Sequence, residues 1–388
     1  MIIKKNPSSR ENDSLMTKIL KIAFSIPIAA ACLFLTVFML LFLLSHIGTS
    51  STVAQGDATI MDKFDQYVVN DIMTQLDGFV DVERVYWLND NDQVAPEPNQ
   101  SAFGETDDPS SLQWLLDEAA DLLDGQELLF SLETDIAPGS VVSYYLDDTI
   151  LAITWKQLMH NYVYTFSEVK IAHASQFRRF LSNGMYGSGV LHTTSEMASS
   201  VNAVVASAGD YYGYRSIGVI VNNGTIYRNK PHTLDTCFIN DEGDLLFVAG
   251  ADLAEKDATE KFVEENNVRF TICFGPILLQ DGVYAGPARY AIGEIGDRYS
   301  RAALCQMGKL HYVVVTANME RGHNNSPTLR MFAESLASLG IKKAYTLDGG
   351  QTATIVMNDK VMNTVSYGAE RDISDIIYFA TALPNHQS

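Results

Sequence analysis

The chain contains three stretches that differ in how apolar and polar residues follow one another. From Ile22 to Ser45 the run "IAFSIPIAAACLFLTVFMLLFLLS" has no charged residue. Between Ile60 and Phe79 an apolar residue recurs every four positions, which is typical of a helix. From about Thr154 onward, short apolar runs alternate with glycine turns, which predicts strands and hairpins with helices between them. We therefore expect an α+β protein: one transmembrane helix, a partly helical membrane-proximal region, and a mixed β-sheet domain with interspersed helices.

The uncharged segment is long enough to cross a bilayer. As a helix it would rise about 36 Å, against a hydrocarbon core of about 30 Å. The alternative, a cleaved signal peptide, needs a shorter apolar core, and only "GTSSTVAQG" after it offers a loose cleavage site. Positive charges dominate the preceding flank, at Lys4, Lys5, Arg10, Lys18 and Lys21. We predict a cytoplasmic tail (1–21), a spanning helix (22–45) and an extracellular remainder held at the cell membrane.

The membrane-proximal region is predicted to cover residues 46–150. "NDNDQVAPEPNQSAFGETDDPSS" (89–111) has the composition of a loop. It leads into a helix from Ser111 to Leu123, with Gly125 as a stop signal. No catalytic constellation occurs here, so this region is expected to serve as a stalk or packing element. The functional domain is then predicted to cover residues 151–388.

Local signals place several elements inside that domain. Asn223-Gly224 between two apolar runs predicts a hairpin, because both residues tolerate positive φ. Helices are predicted from Thr194 to Ala206 and from Ser326 to Leu339, the second with Ser326 as its N-cap and Gly340 just past its end.

Composition removes several classes of function. The 388 residues are 47% hydrophobic and carry a formal net charge of -20. A core can therefore form, and binding to a nucleic-acid backbone is disfavoured because phosphates would be repelled. The four cysteines show no Cys-x-x-Cys spacing, so a metal–thiolate site is not predicted. The motifs of the common serine, zinc and P-loop hydrolases are also absent.

What remains is a set of polar residues beside glycines at predicted strand ends. They lie in "GDYYG" (Gly209 to Gly213), "FGPILLQDG" (Phe274 to Gly282), "RYAIGE" (Arg289 to Glu294) and "DGGQTAT", which Asp348 opens between two predicted strands. Glycine beside a polar residue lets a ligand approach the backbone and leaves N–H groups for an anion. Spacing alone leaves a purely structural alternative for each of these residues: Asp348 and Asp210 could be carboxylates that stabilise a turn, and Arg289 could form a surface ion pair.

These segments, together with "RDISDIIYF" (Arg371 to Phe379), resemble in their order the phosphodiester glycosidase family, the relatives of N-acetylglucosamine-1-phosphodiester α-N-acetylglucosaminidase. The resemblance runs from about Tyr162 to Leu383. It implies cleavage of a sugar 1-phosphodiester, with substrates in cell-envelope or exopolysaccharide polymers.

Residue by residue, the resemblance places the family's Asp-Gly-Gly on Asp348, Gly349 and Gly350, followed by the hydroxyl of Thr352. It places the arginine of Arg-x-x-Ile-Gly on Arg289 and the Gly-Asp pair on Gly209 and Asp210. Two positions depart from the family pattern. Ala208 stands where Asn is usual, and Ala317-Asn318-Met319 stands where many bacterial members have Asp-Gly-Arg. Arg321 could then replace the missing arginine in space.

The chemistry that the resemblance implies needs a cation for the departing phosphate and a carboxylate near the sugar C1. We assign the cation to Arg289 and the carboxylate first to Asp348 and second to Asp210. His323 lies before a helix N-terminus that could hold an anion. The predicted substrate-binding residues are Gly209, Tyr211, Tyr212, Gly349, Gly350, Thr352, Arg321, His323 and Thr328.

The expected partners are a carbohydrate phosphodiester and, through the N-terminal helix, the membrane. No cofactor is predicted, although Asp348 and Asp210 with backbone carbonyls could hold calcium. Two alternatives use the same residues: a module that binds an envelope phosphopolymer without cutting it, and a transferase that passes the sugar to another acceptor.

Overall fold

The computed structural model describes residues 88–90, 92–230, 233–290, 294–318 and 326–383. All of them fall in one compact unit. The predicted cytoplasmic tail, the predicted membrane helix (22–45) and the predicted helix before Phe79 lie outside the described residues, as do Arg321 and His323. Among the described residues, no helix has the length and apolar character needed to cross a membrane.

Strands dominate this unit. In chain order the strands are β1 (Phe103–Thr106), β2 (Val142–Asp147), β3 (Ile150–Met159), β4 (Tyr162–Ile171), β5 (Phe177–Leu181), β6 (Val205–Ala208), β7 (Gly218–Asn222), β8 (Thr225–Lys230), β9 (Thr236–Asn240), β10 (Leu245–Val248), β11 (Val268–Ile272), β12 (Ile277–Gln280), β13 (Val283–Tyr284), β14 (Arg301–Gly308), β15 (His311–Asn318), β16 (Ala344–Leu347), β17 (Ile355–Met357), β18 (Lys360–Val361) and β19 (Asp375–Phe379). The α-helices are α1 (Gln113–Glu118), α2 (Ala120–Leu123), α3 (Thr194–Ser200), α4 (Ala258–Glu265) and α5 (Leu329–Ser338). Many strands with few helices confirm the α+β class.

The strands form a large sheet and three smaller ones. The large sheet has the order β1-β2-β3-β4-β15-β14-β16-β12-β13, a five-stranded sheet has the order β18-β17-β6-β19-β5, and β10-β9-β11 and β7-β8 complete the set within the described residues. All neighbouring strands run antiparallel. Asn223-Gly224, with φ of 46° and 70°, joins β7 to β8 as predicted.

The central strands of the large sheet are buried on both faces. On β15, Val313 and Val315 pack into a cluster with Phe332 of α5, whereas Tyr312 and Val314 point to the other face, into a cluster with the smaller sheets. Side chains alternate across a strand, so a strand buried on both sides must be apolar at nearly every position. The central part of β15, "YVVV" (Tyr312 to Val315), meets that requirement.

The large sheet extends back beyond residue 151. β2 pairs with β3, with Ser143 opposite Thr154, and β1 pairs with β2. Leu115 of α1 and Phe130 are buried in the same cluster as Trp155. Residues 92–150 therefore contribute strands and core to the same compact unit.

Several predicted elements have different bounds. The predicted helix from Thr194 ends at Ser200, because Val205–Ala208 is fully buried and pairs in the five-stranded sheet as β6. The predicted helix from Ser111 starts as a 3-10 turn and continues as α1 and α2. The N-cap of α5 is Thr328, whose hydroxyl accepts from the Met331 N–H at 3.3 Å, and not Ser326.

Candidate active site

Asp348 lies at the end of β16, an inner strand of the large sheet, and lines a cavity. It follows β16 directly and its residue is 7% exposed. The cavity has a volume of about 480 Å³, within the range of small-molecule sites. Of the predicted site residues, Tyr211, Asp348, Gly349 and Gly350 line it.

The two glycines after Asp348 allow a tight approach to the start of β14. A Cβ on Gly349 would lie 2.7 Å from the Ser300 carbonyl oxygen, so no side chain fits there. Gly350 has a φ of +64°, and its N–H donates to the same carbonyl at 2.7 Å. The N–H of Gly350 is therefore engaged within the protein and is not directed at an anion, contrary to the expectation from the sequence.

The Asp348 carboxyl has unusual acid–base properties. Burial raises its pKa to about 7, while the Arg371 guanidinium, 3.2 Å away, and the Thr352 hydroxyl act in the opposite direction. Thr352 is itself buried, and its hydroxyl donates to the Gly349 carbonyl at 2.7 Å. Thr352 thus supports the Asp348 turn from within the fold. A carboxyl that titrates near neutral pH is suited to take or give a proton.

Two guanidinium groups line the cavity. Arg371 lies over the rings of Tyr211 and Tyr214, with its Cζ 5.5 Å and 5.2 Å from the ring centroids. Arg301 begins β14, and its Cζ lies 5.7 Å from the Tyr299 ring centroid. Arginine presents a planar set of donors that matches a phosphate group. The cavity therefore combines a carboxyl of raised pKa with two cations suited to an anionic substrate.

Arg289, the predicted phosphate ligand, is exposed and does not line the cavity. Its neighbour Tyr290 does, and the Tyr290 hydroxyl accepts from the Asp235 N–H at 2.7 Å. Tyr290 also packs closely against Gly275, where any side chain would clash with it. Because this packing turns the Tyr290 ring inward, the segment "RYAIGE" contributes an aromatic ring to the cavity, and Arg289 points outward.

Asp210 lies beneath the cavity and does not line it. Its side chain is fully buried and accepts from the Tyr211 N–H at 2.5 Å, the Cys273 N–H at 2.8 Å and Arg215 Nη2 at 2.9 Å. Arg179 Nη2 is 3.9 Å away. Its oxygen atoms are thus held by protein donors, and Asp210 fixes the turn that places Tyr211 on the cavity wall.

Gly209 and Tyr212 also belong to this buried support. A Cβ on Gly209 would lie 2.7 Å from the Asp375 carboxylate. Asp375 binds Arg179 Nε at 2.6 Å; burial raises the pKa of Asp375, and Arg179 opposes that rise. Tyr212 is buried and stacks on Tyr186, with ring centroids 5.5 Å apart. Neither Gly209 nor Tyr212 lines the cavity.

The functional residues that sequence reasoning missed are charged or aromatic, and the aromatic ones on the cavity are Tyr290, Tyr299 and Tyr367. The charged ones are Arg179, Arg215, Arg301, Arg371 and Asp375, the last two of which lie in "RDISDIIYF". The available signal was a charged residue at the end of an otherwise apolar strand, as in "DIIYF" of β19, since burying such a charge requires a partner.

The other predicted positions lie apart from Asp348. Thr328 caps α5 and lines a neighbouring cavity of about 690 Å³. Asn318, in the segment that departs from the family pattern, is buried and donates to the Ala353 carbonyl at 3.1 Å. No group of three or more His, Cys, Asp or Glu side chains within the described ranges is arranged to hold a metal ion. Cys237, Cys273 and Cys305 are buried free thiols.

Comparison with known proteins bears on the same part of the chain. The sequence model of the phosphodiester glycosidase family matches residues 199–380. None of the curated proteins matches the chain in sequence. Among solved structures, a hypothetical protein from Synechocystis is similar with a TM-score of 0.50 and 13% identity over 62% of this chain and 64% of that one, which shows a shared fold. The catalytic domain of zebrafish N-acetylglucosamine-1-phosphodiester α-N-acetylglucosaminidase, in a form auto-inhibited by its pro-peptide, gives a TM-score of 0.48 and 16% identity over 75% of this chain and 87% of that one.

Proposed function

Because residues 199–380 belong to the phosphodiester glycosidase family, we propose that the cavity at Asp348 hydrolyses a sugar 1-phosphodiester and releases the free sugar. The observation that carries this proposal is the buried Asp348 carboxyl, whose pKa is raised to about 7 and which lies 3.2 Å from Arg371. A general base works best when its pKa is near the operating pH. The family match supports a hydrolase, and the cavity supplies the groups that this hydrolysis needs.

On the phosphate side, Arg371 and Arg301 bind the diester and the charge that develops as it departs. Both line the same cavity as Asp348. Charge-assisted hydrogen bonds from guanidinium to phosphate are among the strong ones in proteins. When the phosphate pairs with Arg371, the positive charge that favours ionised Asp348 is partly neutralised. Substrate binding therefore makes Asp348 a stronger base.

On the sugar side, ionised Asp348 takes a proton from the attacking water. The water oxygen forms a bond to C1, the bond between C1 and the ester oxygen breaks, and that oxygen keeps the electron pair as part of a phosphate monoester. The transition state resembles an oxocarbenium ion. A phosphate monoester is a weakly basic leaving group, so the reaction needs no second carboxyl as acid. This agrees with the position of Asp210, which is held below the cavity by protein donors.

We propose that the reaction takes place outside the cell, on envelope or exopolysaccharide phosphopolymers. Support comes from the uncharged run of residues 22–45 and the lysines and arginines before it. Externally added protease should remove the C-terminal domain from intact cells while the N-terminal tail stays protected. Protection of the whole chain would contradict this location.

The direct test of the chemistry compares wild type, Asp348→Asn and Asp252→Asn in the full-length protein. The substrate is the methyl phosphodiester at C1 of N-acetylglucosamine, and free sugar is measured. We expect Asp348→Asn to reduce kcat/KM by about 10²–10⁴-fold, the usual contribution of a general base. Asp252 is exposed, so its variant serves as the control and should match wild type.

Three results would contradict the proposal. Full activity in Asp348→Asn would remove the assigned base. Binding of the diester by wild type without any release of sugar would indicate a binding module. Appearance of the sugar on an added acceptor in place of free sugar would indicate a transferase.

A further inference from the structure

Two exposed tyrosines stand at the mouth of the Asp348 cavity. Tyr367 is 72% exposed and Tyr299 is 37% exposed, and both line the cavity. An aromatic ring offers an apolar face together with a polar hydroxyl, so a solvated pair at a cavity is a typical ligand-contacting feature.

The backbone at Tyr367 is held in a conformation that large side chains avoid. Its φ is +64°, in the left-handed region. For a bulky residue this is an outlier, and such outliers persist only where surrounding structure imposes them, most often at ligand sites. The strain is unnecessary for the turn itself, because asparagine adopts this conformation readily, as it does at Asn183 and Asn223. A tyrosine here calls for an explanation other than backbone geometry.

The two tyrosine-bearing turns are joined to each other and to the Asp348 turn. The hydroxyls of Ser300 and Ser366 lie 2.8 Å apart, both serines are buried, and each is a chain neighbour of one tyrosine. The Gln351 side chain donates to the Ala369 carbonyl at 2.9 Å. These bonds set the position of both rings relative to the reacting carboxyl.

We propose that Tyr299 and Tyr367 form an outer subsite that binds a second sugar ring, so that the enzyme acts preferentially on oligosaccharide or polymer phosphodiesters. The flat C–H face of a pyranose stacks on an aromatic ring, and the tyrosine hydroxyls reach sugar hydroxyls. Arg301, whose guanidinium lies over the Tyr299 ring, joins this outer subsite to the phosphate position. The proposal rests on the proposed function, since it extends the substrate of the same cavity.

The test uses Tyr367→Asn, which removes the ring while keeping a residue suited to positive φ. Tyr227→Asn is the matched control, because Tyr227 is 46% exposed on β8 and does not line this cavity. Three substrates are compared: the methyl phosphodiester of N-acetylglucosamine, the same diester with a second N-acetylglucosamine on the sugar, and one with a second sugar on the phosphate. Binding of a neutral N-acetylglucosamine trisaccharide by calorimetry and the melting temperature are measured in parallel.

For Tyr367→Asn we expect kcat/KM to fall about tenfold on at least one extended substrate and less than twofold on the single-sugar diester. Trisaccharide binding should weaken about tenfold, and the melting temperature should stay level or rise. A lower melting temperature with equal losses on all substrates would show that Tyr367 serves packing, and no loss at all would also overturn the proposal. If wild type cleaves no substrate, the hydrolase function fails, and trisaccharide binding that depends on Tyr367 then still decides whether the subsite exists.

Discussion

Asp348 and Asp210 arise in the same way along the chain and end in opposite environments. Each follows a fully buried strand and has a glycine beside it. Asp210 is held by three close protein donors and has no exposed side-chain surface. Asp348 lines the cavity and pairs with Arg371, whose side chain is 37% exposed. A carboxylate whose hydrogen-bond donors are fixed by the fold therefore has a structural role. A buried carboxyl whose partner can also bind a ligand remains available to react.

The largest effect on stability is expected at Asp210. Asp210→Ala would leave Arg179 and Arg215 without their shared carboxylate, and removing one partner of a buried ion pair typically costs about 3–5 kcal/mol. Chemical denaturation of the variant should show this loss, while Asp252→Ala, at an exposed aspartate, should stay close to wild type. If Asp210→Ala unfolds like wild type yet loses activity as Asp348→Asn does, Asp210 is a reacting group and the contrast is wrong.

At Asp348 we expect a substitution to increase the stability of the protein instead of decreasing it. Its pKa rises from 3.8 to about 7 on folding. Below pH 4 the carboxyl is protonated in both states, and no cost arises. Between about pH 4 and 7 the unfolded state releases this proton while the folded state retains it, so the stability of the fold falls across that range and levels off above pH 7. Asp348→Asn should therefore stabilise the protein by about 2–4 kcal/mol at pH 8 and by little at pH 4.

Denaturation midpoints of both proteins across pH 4 to 8 provide the check on that sign. A variant that is less stable than wild type at pH 8 would show that ionised Asp348 is stabilised by its surroundings. It would then resemble Asp210, and the distinction between the two carboxylates would disappear.

A smaller effect is expected at Gly349. In Gly349→Ala the new Cβ would lie 2.7 Å from the Ser300 carbonyl oxygen, a backbone atom that cannot move away cheaply. We expect a loss of about 1–3 kcal/mol, as in other overpacked sites. Gly296→Ala is the matched control, because a Cβ there meets no atom within 4 Å and its φ is not in the left-handed region. Equal stability of the two variants would contradict the role assigned to Gly349.

Local features of the fold were predictable from the sequence. The hairpin at Asn223-Gly224 depends on two adjacent residues, and the two strands predicted on either side of the Asp348 segment are present as β16 and β17. The order of strands in the large sheet depends on pairings between segments far apart in the chain, such as β15 with β4. No local pattern encodes such a pairing. For the same reason, no local pattern shows that β1 and β2 pair into the large sheet.

In the candidate site too, the features that depend on neighbouring residues were predictable, and those that depend on contacts between distant segments were not. Asp348, Gly349 and Gly350 lie on the cavity through one turn and Tyr211 through another, and each turn is formed by residues adjacent in sequence. Which arginine, Arg289 or Arg371, lies on the cavity as its cation is not determined by neighbouring residues in the sequence. It depends on Tyr290 packing against Gly275 and on Arg371 lying over the Tyr211 ring, contacts that only the folded chain brings together.

The smallest expected effect concerns the pH dependence of catalysis and how the ion pair between Asp348 and Arg371 changes it. As a base, Asp348 is active when ionised, so kcat/KM should rise with pH through about 7 and then level off. Arg371 and Arg215 lower the pKa of Asp348, and Asp210 raises it. Arg371→Met should therefore move the rising limb to higher pH and raise KM, because it removes both a stabilising charge and a phosphate ligand.

Arg330→Met, at an exposed arginine paired with Glu334 on α5, is the control and should leave the profile in place. If the pH profile of Arg371→Met does not shift while KM rises, Arg371 binds the phosphate but does not influence the pKa of Asp348.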